Sequence, residues 1–195
     1  YRIARGNDSF RACTPLSAHV LLLAAVDSVY TENLNELAAS GHTTWRQLRS
    51  DLSQALSDTS RRSQVERFLT PLDQVELGLP VLSRDFTDFF TSYFHAYNAG
   101  KLFRPDDPLT PNFKWMPIAY HGRASSIVLS GTAVRRPWGQ IMTPDSSQPT
   151  FAPSRFVDFE TELGFVIGPG TGFGDTVAID QAEDHLFGVV LLNDW

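Results

Sequence analysis

A strand-length run that is apolar at every position, Leu186-Phe187-Gly188-Val189-Val190-Leu191-Leu192, limits the folding of this chain more than any other feature. Such a run predicts a strand covered on both faces. It closes on Asn193-Asp194-Trp195, so an acid stands at the end of a strand expected to be buried, where it needs a partner. A second segment, Val157 to Ile167, alternates instead. Phe159, Thr161, Leu163 and Phe165 share one side, and Asp158, Glu160 and Glu162 share the other. Glu160 and Glu162 thus point the same way about 7 Å apart, a repulsion of roughly 2 kcal/mol at an effective dielectric near 20. Two readings follow. Either water bathes this face and removes most of that cost, or a hard cation compensates the pair. Oxygen ligands without Cys or His nearby favour Ca2+ or Mg2+ over zinc.

The first eighty residues have a different character and read as mostly helical. Ser17 is placed to cap a helix through Val20, Leu23, Ala24 and Val26 to about Tyr30. Thr44-Trp45-Arg46-Gln47 has the spacing of a capping box, ahead of Trp45, Leu48, Leu52 and Leu56 at intervals of three and four. A third helix is expected from about Ser60 to Leu69, before Pro71. Gly78 and Pro80 then set a boundary, dividing the chain into domains 1–80 and 81–195. Beyond it, Phe86, Phe90, Tyr93, Phe94 and Tyr97 would form one stripe of a helix, with Asp88, Thr91, Ser92, His95 and Asn98 on the other face. Residues 100 to 155 are rich in Pro, Gly and Ser, with a β-like run at Ser126-Ile127-Val128-Leu129-Ser130. Helices first and strands later give an α+β arrangement.

Charge narrows the partners. Sixteen Lys and Arg against 22 Asp and Glu give a net charge of −6, which repels a phosphate backbone, so nucleic acid is not expected. Only Lys101 and Lys114 are lysines, which leaves no polybasic membrane patch, and the longest apolar run, Val20 to Val26, is short of a membrane span. The lone Cys13 forms no intrachain disulfide and fits a reducing cytosol. Charge is also segregated: residues 113 to 140 hold no acid, whereas residues 151 to 195 hold eight acids and one arginine. Walls of opposite sign suit an anionic substrate bound through a cation.

Some chemistry drops out on inspection. The run Gly168-Pro169-Gly170-Thr171-Gly172-Phe173-Gly174 lacks the register and the lysine of a phosphate loop and reads as a turn between strands. No Gly-x-Ser-x-Gly elbow is present, and Cys13 has no nearby His. His95 stands out among the histidines, because helical spacing would put it on the face of Asp88. Beside a cation-bound water it would serve as a general base; the plainer reading is a histidine satisfied by ordinary hydrogen bonds.

Tyr120-His121-Gly122-Arg123-Ala124-Ser125-Ser126, continuing through Ser130-Gly131-Thr132 to Arg135-Arg136-Pro137-Trp138-Gly139-Gln140, resembles the fumarylacetoacetase family. The likeness takes in Asp158-Phe159-Glu160-Thr161-Glu162, Phe187-Gly188 through Asn193-Asp194-Trp195, and the stretch from Asp88 to His95 and Arg104. Asn33-Leu34-Asn35-Glu36-Leu37 with Trp45-Arg46 is similar to the helical part of that family's N-terminal domain.

The resemblance implies hydrolysis of the carbon–carbon bond of 4-fumarylacetoacetate to fumarate and acetoacetate, in tyrosine and phenylalanine catabolism. It implies Asp88, Glu160, Glu162 and Asp194 as calcium ligands, with Asp194 also at a magnesium site. It makes His95 the activator of water, and Arg104, Tyr120 and the residue at position 90 substrate contacts. Phe90 departs from the tyrosine usual there, at a net cost of about 1 kcal/mol for one lost hydrogen bond. The implied fold is a partial SH3-like and helical N-terminal domain followed by the first part of a β-rich sandwich-roll catalytic domain, in a cytoplasmic homodimer acting on a small-molecule diketo acid. The family's catalytic domain runs on past the Asn-Asp-Trp motif, so the chain is expected to be truncated at both ends and inactive alone; cleavage by the purified chain would refute this. Other readings are a non-catalytic cation-binding or dimerisation fragment, a purely structural fragment, or a keto-acid hydratase, decarboxylase or isomerase of the same superfamily.

Overall fold

A computed structural model describes residues 2–4, 11–16, 19–22, 34–116 and 118–195. In chain order the elements are β1 (Arg2–Ala4), β2 (Arg11–Leu16), β3 (His19–Leu22), α1 (Asn35–Ala39), α2 (His42–Ser57), α3 (Arg62–Glu66), β4 (Leu69–Pro71), β5 (Glu76–Gly78), β6 (Thr87–Phe90), α4 (Tyr93–Phe103), β7 (Ile118–His121), β8 (Trp138–Ile141), β9 (Thr150–Pro153), β10 (Glu160–Ile167) and β11 (Leu186–Asp194). Helices and small antiparallel sheets make the chain α+β. The chain divides into two compact units, Tyr1–Val81 with Leu129–Trp195, and Leu82–Val128.

In the first unit, five antiparallel strands run in the order β4-β3-β2-β1-β5. The edge strands are neighbours in sequence, joined through a 3₁₀ turn at Leu72–Gln74. The edges of a flat five-stranded sheet lie roughly 19 Å apart. A link from Pro71 to Glu76 containing that turn reaches only about 15 Å, so the sheet must curl. This sheet adds strands to the first eighty residues, which the sequence reads as mostly helical. His19–Leu22 is a strand between β2 and β4, not part of a helix, because Val20-Leu21-Leu22 has no helical period and pairs on both sides. Ser17 and residues 23–30 of that expected helix lie outside the described residues.

The second expected helix is present with a different start. Gly41, at φ 86°, precedes the first turn without a side-chain cap, and the Thr44 hydroxyl donates back to the Ser40 carbonyl at 3.3 Å. Thr44 is therefore inside the helix, and the Gln47 amide donates to Asp51 instead of closing a capping box. The third expected helix is shorter, comprising a 3₁₀ turn at Thr59–Arg61 and α3, while Leu69 belongs to β4. Asp58 caps this turn. It accepts from the Ser60 hydroxyl and N–H, which hold its carboxyl below the usual range.

Among the described residues, buried side chains gather in two small clusters. Leu37 and Leu48 pack with Leu34, Trp45, Leu52 and Phe187; Ala55 and Val65 pack with Leu52, Phe68 and Leu69. Leu56 is exposed and Ala55 takes its expected place on the apolar face. Trp45 ties the helices to β11. Its indole N–H donates to the Leu37 carbonyl at 2.6 Å, and its ring meets Phe187 edge-on at 5.2 Å. Gly168 is required here, since a Cβ would stand 2.6 Å from the Trp45 ring and 2.7 Å from the Ala38 carbonyl oxygen. Trp45→Ala therefore lowers the unfolding free energy by about 3 kcal/mol, read from a denaturant midpoint at unchanged m-value.

The second unit pairs β6 with β7 and carries α4 between them. It corrects the reading in which Phe86 to Asn98 would share the two faces of one helix. Thr87-Asp88-Phe89-Phe90 is a strand, and Ser92 then caps α4 by accepting from the His95 N–H at 3.4 Å. The expected β-like run at 126–130 forms no strand, and Ala124–Ser126 is a 3₁₀ turn.

Candidate functional site

The candidate ligand acids of the first unit stand on one strand pair. β10 and β11 are antiparallel, with Glu160 opposite Asp194, Glu162 opposite Leu192 and Gly164 opposite Val190. Opposed residues share a face, so Glu160, Glu162 and Asp194 lie together at its open end. Glu162 and Asp194 offer carboxylate oxygens within 4.8 Å of each other, and both residues are half-buried, while Glu160 is exposed. Like charges directly opposed across a ladder are unfavourable. The donor set is oxygen alone, which fits a hard divalent cation.

The burial of this pair does not follow apolar against polar. Glu162, Gly164 and Val166 are half-buried, whereas Leu163, Phe165 and Ile167 are more than half exposed. β11 is likewise not covered on both faces, since Val189 and Leu191 are exposed, Leu191 by 82%. The alternation and the apolar run specify strands correctly, but among the described residues each strand has a single neighbour, and hydrophobicity alone supplies no second layer. The Gly-rich segment 168–174 lies in the connection between these strands, as its composition indicates.

In the second unit Asp88 pairs in register with Tyr120, whose hydroxyl donates to Asp88 Oδ2 at 2.6 Å. Asp88 is buried and Tyr120 is exposed. This cross-strand bond was not legible in the sequence, because the partners are 32 residues apart; the four-residue aromatic strand followed by a Ser cap was the available signal. Asp88 and His95 do not share a helix face, since a strand holds one and α4 the other. Instead the His95 ring meets Phe90 edge-on, with centroids 5.0 Å apart. The His95 side chain is exposed. Arg104 ends α4, and its guanidinium donates to the Pro108 carbonyl at 3.1 Å. It borders a hollow of about 360 Å³ shared with Asp106, Asp107 and Thr110.

The fold and these acids thus define an α+β chain with an acidic strand pair suited to a divalent cation. Comparison with known proteins gives the family. The model described as fumarylacetoacetate (FAA) hydrolase C-terminal matches residues 89–195, and that described as fumarylacetoacetase N-terminal matches residues 4–80. A fumarylacetoacetase of Arabidopsis thaliana is 42% identical over 90% of this chain and 43% of its own length. One of Emericella nidulans is 45% identical over 83% of this chain and 40% of its own length, and one of Bos taurus 36% identical over 98% and 50%. This chain belongs to the fumarylacetoacetate hydrolase family. It spans about half or less of the length of the curated relatives it matches. No helix among its described residues is long and apolar enough to cross a membrane.

Proposed function

We propose that this chain carries the metal-holding and water-activating residues of a hydrolase that cleaves 4-fumarylacetoacetate to fumarate and acetoacetate. The observation that carries the reading is the strand pair of a chain in this family, on which Glu160 faces Asp194 while Glu162 and Asp194 bring their oxygens within 4.8 Å. In this proposal Asp88, Glu160, Glu162 and Asp194 hold Ca2+, and Asp194 also borders Mg2+. The bound cation would polarise the diketone oxygens and offset the enolate charge. The residues of the chain do the rest. His95 takes a proton from water, and the hydroxide adds to the ketone carbon. The carbon–carbon bond then breaks, its electron pair leaves as the enolate of acetoacetate, and a proton completes the product. Arg104 turns its guanidinium to a substrate carboxylate by a charge-assisted bond. Tyr120, whose hydroxyl engages Asp88, and Phe90, whose ring supports His95, flank the substrate. The same reading makes the protein a cytoplasmic homodimer in tyrosine and phenylalanine catabolism, with domains 1–80 and 81–195.

The test fuses this chain to the remainder of the Arabidopsis relative and follows loss of the diketone's ultraviolet absorbance. Chelator is expected to abolish turnover and added Ca2+ or Mg2+ to restore it. Undiminished turnover in excess chelator, with the cation shown to be stripped, overturns the metal-dependent mechanism.

A further inference from the structure

We infer that His185 is a positioning residue that sets the register of β10 against β11 and thereby keeps Glu160 facing Asp194. Ordinary devices leave this register underdetermined. A tight turn normally fixes a hairpin, but here a long connection with several glycines separates Ile167 from Leu186. Alternation normally fixes which face is buried, but β11 is apolar from Leu186 to Leu192, so a slip of one or two residues still sets apolar groups against β10. The ladder is already irregular between Val166 and Ile167. The acids at the open end oppose the observed pairing, because it sets like charges against each other.

A bracket at the closed end counters this freedom. The Gly168 N–H donates to the His185 carbonyl at 2.7 Å, and His185 Nδ1 lies 2.8 Å from the Pro169 carbonyl oxygen. A carbonyl only accepts, so Nδ1 carries the proton. The two bonds join adjacent residues of one side to a single residue of the other, which a slipped ladder cannot reproduce. His185 is half-buried, so water competes weakly for the bond. Farther along, a Cβ at Gly164 would stand 2.9 Å from Val190 Cγ2, so this pairing also seats a branched side chain over the one position of β10 that lacks its own.

The inference concerns register alone and is tested apart from any cation. In a Cys13→Ser background, paired cysteines report register by oxidative cross-linking and mass spectrometry. T161C/N193C reports the observed pairing, and T161C/L191C and T161C/W195C report slips of two residues either way. H185A is expected to lower the first cross-link relative to the other two by about fivefold. H185N, whose side-chain amide replaces Nδ1 as donor, is expected to restore it. An unchanged ratio in H185A, a uniform loss of all three cross-links, or no rescue by H185N overturns the assignment. Whether the chain binds Ca2+ is measured separately and bears only on the proposed function.

Discussion

His95→Ala is expected to lower kcat for fumarylacetoacetate cleavage by about 10²–10⁴-fold, with KM changed far less, in the fusion that carries this chain. The expectation follows from where α4 begins. Ser92 accepts from the His95 N–H, so the first turn of the helix is fixed where the imidazole leaves it. Phe90, at the end of β6, meets that ring edge-on and holds its orientation without donating or accepting a proton. An imidazole braced by an apolar ring and carried on an exposed residue is placed to meet water. In the proposed mechanism, removing it deletes the base and leaves the substrate contacts assigned to Arg104 and Tyr120 in place, so the loss is expected on kcat. Equal losses in kcat/KM and in substrate affinity would instead make His95 a binding group. Full activity in H95A would end the proposed role.

The elements were legible where one period dominated a segment. Leu48 and Leu52 repeat at helical spacing, and α2 forms around them. Its capping box does not form, because Gly41 at positive φ starts the helix two residues before Thr44. Where two elements abut, a composite period misleads. Phe86, Phe90, Tyr93 and Tyr97 fit helical spacing across a strand and a helix that meet near Ser92. Val20-Leu21-Leu22 carries no period and becomes a strand because β2 and β4 pair with it.

The candidate site was legible to the depth of its local spacing. The common face of Glu160 and Glu162 follows from the two-residue repeat of a strand. That Asp194 faces Glu160 depends on register, which the uniform apolarity of β11 does not encode. The bond from Tyr120 to Asp88 is nonlocal in the same way. Sequence pattern also gave Leu163 and Phe165 a common side, and both are exposed; burial is a property of the neighbouring layer, not of the strand.

Neutralising an acid of the strand pair is expected to change stability with opposite sign in the absence and presence of cation. Glu160 faces Asp194 across the ladder, and Glu162 approaches the same carboxylate. Without a cation, Glu160→Gln removes a like-charge opposition, so the melting temperature rises, by a few tenths to about 1 kcal/mol in free energy. With Ca2+ at 100 times the wild-type dissociation constant, binding stabilises the wild type by about 2.7 kcal/mol. About half or more of that is lost when a ligand oxygen's charge is removed and affinity falls by about 10–100-fold. The melting curves of wild type and E160Q, followed by circular dichroism, should therefore cross as Ca2+ is added. D194N, which changes the half-buried partner of the same pair, should behave alike with a larger loss of binding. A solvated acidic face predicts something else: a small rise in both variants that Ca2+ does not reverse. Crossing curves identify a divalent site, and parallel ones return these three carboxylates to the solvent.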